Sequence, residues 1–225
     1  MTYILLLLSV LLGTFLVIFI KLPKKFVRLL LAFSGSYLLS ITILHLMPEV
    51  FTGDDNSKTM GLLILIGIVL QSVLESFSKG AEHGHIHVHG HENKFPMLLF
   101  VSLCIHAFSE GLPIEHANDN LLWAIMVHKI PIAIVLTTYL MHSNFEKKTI
   151  VSYILIFGLM SPLGVFVADK IDFFSIYSRE ITAIIIGVFL HISTIILFEG
   201  SENHSFNIQK FIAIVLGIVL TFMTV

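Results

Sequence analysis

His106 and Glu110 stand four residues apart inside the apolar run 96–114, PMLLFVSLCIHAFSEGLPI. A second apolar run, 120–141, carries His128-Lys129-Ile130-Pro131 near its middle. Residues four apart share one helix face, so His106 and Glu110 can turn an imidazole nitrogen and a carboxylate oxygen toward the same point. That donor pair suits a divalent transition metal, zinc above all. Ionisable groups at bilayer depth are expensive and by default mark a pathway or a site. Adding His128 gives two nitrogens and one carboxylate and leaves one tetrahedral position for water. Structural zinc sites are closed by four protein ligands, whereas an incomplete site exchanges its metal. A transport site has to bind strongly enough to strip water and weakly enough to release. Three ligands without a thiolate fit that compromise. The plainer reading of the pair is a hydrogen bond holding two helices together, and the second buried histidine argues against it.

Lys129 needs its own account, because an ammonium beside a dication is repulsive unless a carboxylate lies between them. It is expected either to pair with Glu110 when no metal is bound or to fill the space of a second metal. Snorkelling into a water-filled vestibule is the simpler alternative.

Further polar groups mark the ends of a path. His45 and Glu49 lie four apart near the outer end of the second apolar run, where they could relay an ion or merely be solvated. His191 and Glu199 lie eight apart, just over two helical turns. Together with Glu75, near the inner end of the third run, they are candidates for an inner relay. Between the third and fourth runs, in the connector 79–95, His83, His85, His87, His89 and His91 alternate with other residues. Such a tract binds zinc, nickel or copper loosely without folding, and is expected to capture or sense metal at the inner mouth.

The elements that must hold these groups follow from composition. Of 225 residues, 56% are hydrophobic and only 12% charged, against about 25% charged in a soluble domain. Mean hydropathy is +0.94. The net charge of -2 is uninformative, and no basic cluster suggests a nucleic-acid partner. The single cysteine, Cys104, excludes an internal disulfide and a thiolate zinc site, and reads as a small buried hydrophobe. A spanning helix needs about 20 mostly apolar residues. Eight stretches qualify: 3–20, 27–51, 60–78, 96–114, 120–141, 149–168, 180–199 and 207–225. The chain therefore reads as an all-α integral membrane protein with one transmembrane domain over residues 1–225. The first stretch lacks a basic leader and a small-residue cleavage site, so it is expected to be a membrane helix and not a signal peptide.

Cations sort between alternate connectors. Lys21, Lys24, Lys25, Arg28, Lys79, Lys94, Lys147, Lys148 and Lys210 fall on one side, and Lys58, Lys170 and Arg179 on the other. The positive-inside rule places the first group in the cytoplasm and both termini outside. Prolines are expected to interrupt several spans: Pro48, Pro113, Pro131 and Pro162. Each removes a helical hydrogen bond and frees a carbonyl one turn earlier, which lipid does not tolerate unless protein or a wet cavity re-satisfies it. Broken helices at mid-membrane are how many transporters build ion sites.

Taken together, these residues resemble the ZIP (Zrt/Irt-like) metal transporters over essentially the whole chain. The likeness rests on eight spans, outward termini and a histidine-rich loop after span three. It also rests on His106-x-x-x-Glu110-Gly111, His128-Lys129-x-Pro131, His45-x-x-Pro48-Glu49, and Phe189-Leu190-His191-Ile192 with Glu199. The resemblance implies import of Zn²⁺, or a similar divalent cation, toward the cytosol. It implies a 3+2+3 bundle of inverted repeats, with spans one to three related to six to eight around four and five. It further implies a metal path along spans four and five, elevator-type sliding of one helix block against another, and a homodimer in lipid, expected in a bacterial inner membrane. Departures from the two-metal pattern of some members are specific. Ala107 stands where they have Asn, Lys129 where they have an acidic or amide ligand, Ile132 for a span-five Glu and Ser161 for a span-six carboxylate. These predict a mononuclear site, with Lys129 in the space of the second metal.

Two rival readings remain at this level. An intramembrane zinc-dependent hydrolase would need a metal-bound water and a general base aimed at a substrate, but no His-Glu-x-x-His helix or nucleophile elbow is present. A metal exporter shares the histidine-rich loop and differs only in the direction of flux.

Overall fold

A computed structural model of the chain describes residues 1–20, 22–52, 57–78, 97–114, 119–198 and 207–224. The described residues form helices joined by turns, with no strand among them. In chain order these are α1 (Thr2–Phe19), α2 (Lys24–Phe51), α3 (Ser57–Ser78), α4 (Met97–Gly111), α5 (Asn120–Met141), α6 (Lys147–Lys170), α7 (Ser178–Phe198) and α8 (Ile208–Thr224). A five-residue helical turn, Asp172–Ile176, leads from α6 into α7. Six of the helices are long and apolar enough to cross a membrane. The other two are apolar but shorter over the described residues: α4 has 15 residues and α8 has 17. At 1.5 Å per residue α4 rises about 22 Å, less than the roughly 30 Å of a hydrocarbon core.

The proline expectations need correction. Pro131 and Pro162 lie inside helices that continue through them. Pro48 does not end α2 either. Thr42–Leu46 widens into a π-helical turn carrying His45, and Met47–Phe51 resumes as α-helix with Pro48 in its first turn. The wider turn absorbs the register shift where proline has no N–H to donate. Only Pro113 follows a helix end, in the turn after Gly111.

Burial separates inner from outer helices. α2, α5 and α7 bury more than half of their apolar windows, and α1, α3 and α6 a third or less. The outer helices turn Leu8 and Phe15, Leu62, Leu65 and Val69, and Val151 and Leu159 outward. Apolar faces of that size require a non-aqueous solvent or a covering partner.

Helix pairing divides the molecule into two groups of four. α1 packs on α5 and α6, and α6 packs on α4 and α5; α2 packs on α7 and α8, and α7 on α3. The principal links between the groups are α2–α5 and α3–α4. Glycine sets the closest approaches. A Cβ on Gly164 would run into the carbonyl oxygen of Phe108, and one on Gly111 into that of Ser161, so α4 and α6 touch backbone to backbone. Gly67 and Gly187 do the same for α3 and α7. In lipid, where apolar side chains gain little from one another, such close packing is what holds helices together.

Candidate metal centre

α4 and α5 bring the central residues together. His106, Ala107, Glu110 and Gly111 are buried on the inward stripe of α4, and His128 and Lys129 are buried in α5. His106, Glu110 and His128 expose 0% of their surface and Lys129 exposes 1%. Four ionisable side chains this deep need one another, since an unpaired buried charge is costly.

Glu110 is the hub. Its Oε1 lies 3.1 Å from His106 Nε2 and 3.9 Å from His128 Nε2. Its Oε2 accepts a hydrogen bond from Lys129 Nζ at 2.7 Å, a charge-assisted length. The two imidazole rings meet edge to face, with centroids 6.4 Å apart. His128 and Lys129, neighbours in sequence, thus straddle one carboxylate and address different oxygens. The Lys129 ammonium also lies 5.3 Å from the centroid of the Phe157 ring on α6, within cation–π range.

The donor set fits a tetrahedral dication with small movements. One atom from each of His106, Glu110 and His128 lies within 4.8 Å of the others. Zinc bonds of about 2.1 Å place tetrahedral donors about 3.4 Å apart. Closing the difference needs rotamer adjustments of roughly an ångström. It is the only such group of His, Cys, Asp or Glu among the described residues.

A frame of small residues surrounds the hub. Ser161 on α6 donates its hydroxyl to the Ala107 carbonyl on α4. Gly111 and Gly164 seat the same two helices one turn further on. Ala107 and Ser161 therefore occupy the α4–α6 seam beside Glu110. Ser102 of α4, one turn before His106, donates to the Leu74 carbonyl of α3 at 2.6 Å.

The outlying residues divide. His191 Nε2 lies 2.5 Å from Glu75 Oε2, joining α7 to α3 in a partly buried pair. On sequence alone both group with Glu199 as an inner relay, and Glu199 lies outside the described residues. His45 is half-buried on the π-helical turn, and its Nε2 has no hydrogen-bond partner among the described residues. Glu49 is exposed. His83, His85, His87, His89 and His91 also lie outside the described residues. Sequence reasoning passed over Ser102, Phe157 and Gly164. A glycine or serine at helical spacing was the available signal, and it names no partner helix.

Comparison with known proteins bears on this arrangement. A family model described as ZIP Zinc transporter matches residues 79–224, which contain the whole His106–Glu110–His128–Lys129 set. The chain belongs to the ZIP zinc transporter family. Zinc transporter ZIP1 of Danio rerio is 35% identical over 88 residues, 37% of this chain and 29% of the relative. Zinc transporter ZIP9 of Micropogonias undulatus is 25% identical over 171 residues, 65% of this chain and 53% of the relative. Zinc transporter ZIP9-A of Xenopus laevis is 23% identical over 198 residues, 72% of this chain and 63% of the relative. This ZIP family chain thus spans between about a third and two thirds of the length of these relatives.

Proposed function

We propose that this ZIP family protein carries Zn²⁺ across a membrane toward the cytosol, through one site built from His106, Glu110 and His128. The observation that carries the reading is a fully buried two-imidazole, one-carboxylate set on adjacent helices, with its donor atoms within 4.8 Å of one another. Zinc is the cargo, held by borderline nitrogen donors and one hard oxygen, without the thiolates that would trap it. The relatives named above are zinc transporters, which favours the same ion here.

The site is mononuclear. Lys129 sits on the far oxygen of Glu110, where a second dication would otherwise share the carboxylate, and Ser161 brings a hydroxyl to a carbonyl in place of an acidic ligand.

Movement is by alternating access, with α1, α4, α5 and α6 sliding as one body against α2, α3, α7 and α8. Glycine contacts support this division. Among the described residues, each helix glycine with a close neighbour meets its own group: Gly13 meets α5, Gly158 α1, Gly111 and Gly164 each other, Gly35 α7, Gly67 and Gly187 each other, and Gly217 α2. An eight-span bundle of inverted repeats is supported by the pairing, since exchanging α1, α2, α3 with α6, α7, α8 and α4 with α5 turns α1–α5 into α6–α4 and α3–α7 into α8–α2. The cation distribution favours outward termini, with the histidine loop 79–95 inside, collecting metal at the cytoplasmic mouth. Glu75 and His191 form an inner relay, with Glu199 beyond them, and His45 and Glu49 an outer one. A homodimer completes the reading and is checked by mass measurement in detergent or nanodiscs.

The test is ⁶⁵Zn uptake into proteoliposomes by the wild type and by His106→Ala and Glu110→Ala. Uptake is expected to vanish in both variants while size-exclusion profiles stay monodisperse. Undiminished flux in both removes the reading.

A further inference from the structure

Glu110 divides its two oxygens between two kinds of partner. Oε1 faces the imidazoles that complete the metal set, and Oε2 is held by Lys129. A dication can therefore be bound and lost on one side of the carboxylate while the ammonium stays on the other. The charge count then matters. With neutral imidazoles and no dication, Glu110 and Lys129 sum to zero. Without the lysine, the same enclosure would hold a bare carboxylate, the most expensive species to keep away from water.

An alternating carrier moves its site twice per cycle, once with cargo and once without. If the unloaded site is anionic, that return demands a proton or another cation as passenger. We infer that Lys129 is a tethered counter-ion: its ammonium neutralises Glu110 whenever zinc is away, so the site makes its unloaded return as a neutral pair and the protein needs no counter-transported cation. The inference rests on the zinc-carrier reading above and adds its energetics. Lys129 is a positioning and charge-compensating residue, since the metal donors are the other three. Its fixed geometry supports the assignment: the ammonium is clamped between Glu110 Oε2 at 2.7 Å and the Phe157 ring at 5.3 Å, and it exposes 1% of its surface. The groups that bear on it among the described residues include Glu110, His106 and Cys104 from α4, His128 from α5 and Phe157 from α6, and the carboxylate among these is the one it holds. Two consequences follow. Each cycle moves both charges of the dication, so uptake follows the membrane potential and the zinc gradient. The ammonium also repels bound zinc, which weakens affinity and hastens release.

Two experiments test this in sealed proteoliposomes. In the wild type, the zinc reversal potential is measured with pH, Na⁺ and K⁺ gradients imposed one at a time. The expected value is that of two charges per zinc, unmoved by any of the three; displacement by a cation gradient overturns the inference without any variant. In the second, Lys129→Met is compared with the wild type in net uptake into zinc-free vesicles and in zinc–zinc exchange at saturating metal on both sides. Exchange uses only loaded transits, whereas net uptake needs the unloaded one. The ratio of net uptake to exchange is expected to fall about tenfold or more, with a lower KM, and Lys129→Arg to restore the ratio. A merely structural lysine would lower both fluxes together, and that result overturns the inference. A wild type with no zinc flux of any kind sinks the carrier reading itself.

Discussion

Lys129 Nζ and Glu110 Oε2 lie 2.7 Å apart in an enclosure where neither side chain meets solvent. Two consecutive helices are therefore joined through fully buried opposite charges. Removing one partner is worse than removing both, because the survivor is left uncompensated.

Glu110→Gln is accordingly expected to lower stability by about 3 kcal/mol, and the double substitution Glu110→Gln with Lys129→Met to recover most of that loss. Thermal unfolding in one detergent measures both. Zinc binding should be absent from both, which separates folding from cargo recognition.

Metal content provides a second check. One zinc per chain is expected between α4 and α5, with a single anomalous peak near His106, Glu110 and His128. Two strong mid-membrane peaks would show that Lys129 does not occupy the second metal's place.

The α4–α6 contact predicts a graded response to one methyl group. Gly164→Ala pushes a Cβ into the Phe108 carbonyl, and helix backbone cannot step aside as a flexible side chain can. A loss of about 1–3 kcal/mol is expected, with reduced zinc affinity because α4 carries two of the three proposed donors. Gly61→Ala is the control. Nothing lies within 4 Å of the added carbon, so helix propensity alone acts and stabilises by up to about 1 kcal/mol.

Ser102 offers a test of sliding. Its hydroxyl bonds the Leu74 carbonyl at 2.6 Å across α3–α4, one of the two principal links between the helix groups. If the groups shift against each other, that bond belongs to one position only. Ser102→Ala should then depopulate this position by about 0.6 kcal/mol, a two- to threefold change. Accessibility labelling of inner and outer cysteine reporters in a Cys104→Ser background measures the change. Unaltered accessibility in both reporters would place the bond outside the moving interface.

Much of the candidate cluster was legible in the chain because charge is rare in apolar runs, so His106, Glu110, His128 and Lys129 stood out and helical spacing put the first two on one face. The helical, membrane-type fold followed from composition in the same way. Register between helices was not legible. His191, Glu199 and Glu75 were grouped as one inner relay, but spacing did not say that α3 packs on α7 at Gly67 and Gly187 and sets Glu75 against His191. Ser161 looked like a missing carboxylate, and only packing reveals its bond to Ala107. The prolines misled for a related reason. Proline deletes one bond, but whether a helix stops there depends on its neighbours, and α5 and α6 run straight through.

The placement of the glycines has a consequence for how this molecule could be stopped. Among the described residues the glycine-seated backbone contacts lie inside each quartet, so the joint between quartets lacks that interlock and is where a foreign molecule could prise or glue. If the quartets slide as proposed, a wedge-shaped hydrophobic compound lodged between α2 and α5 would jam the protein without ever competing for metal, and substitutions that enlarge residues along that joint would imitate it.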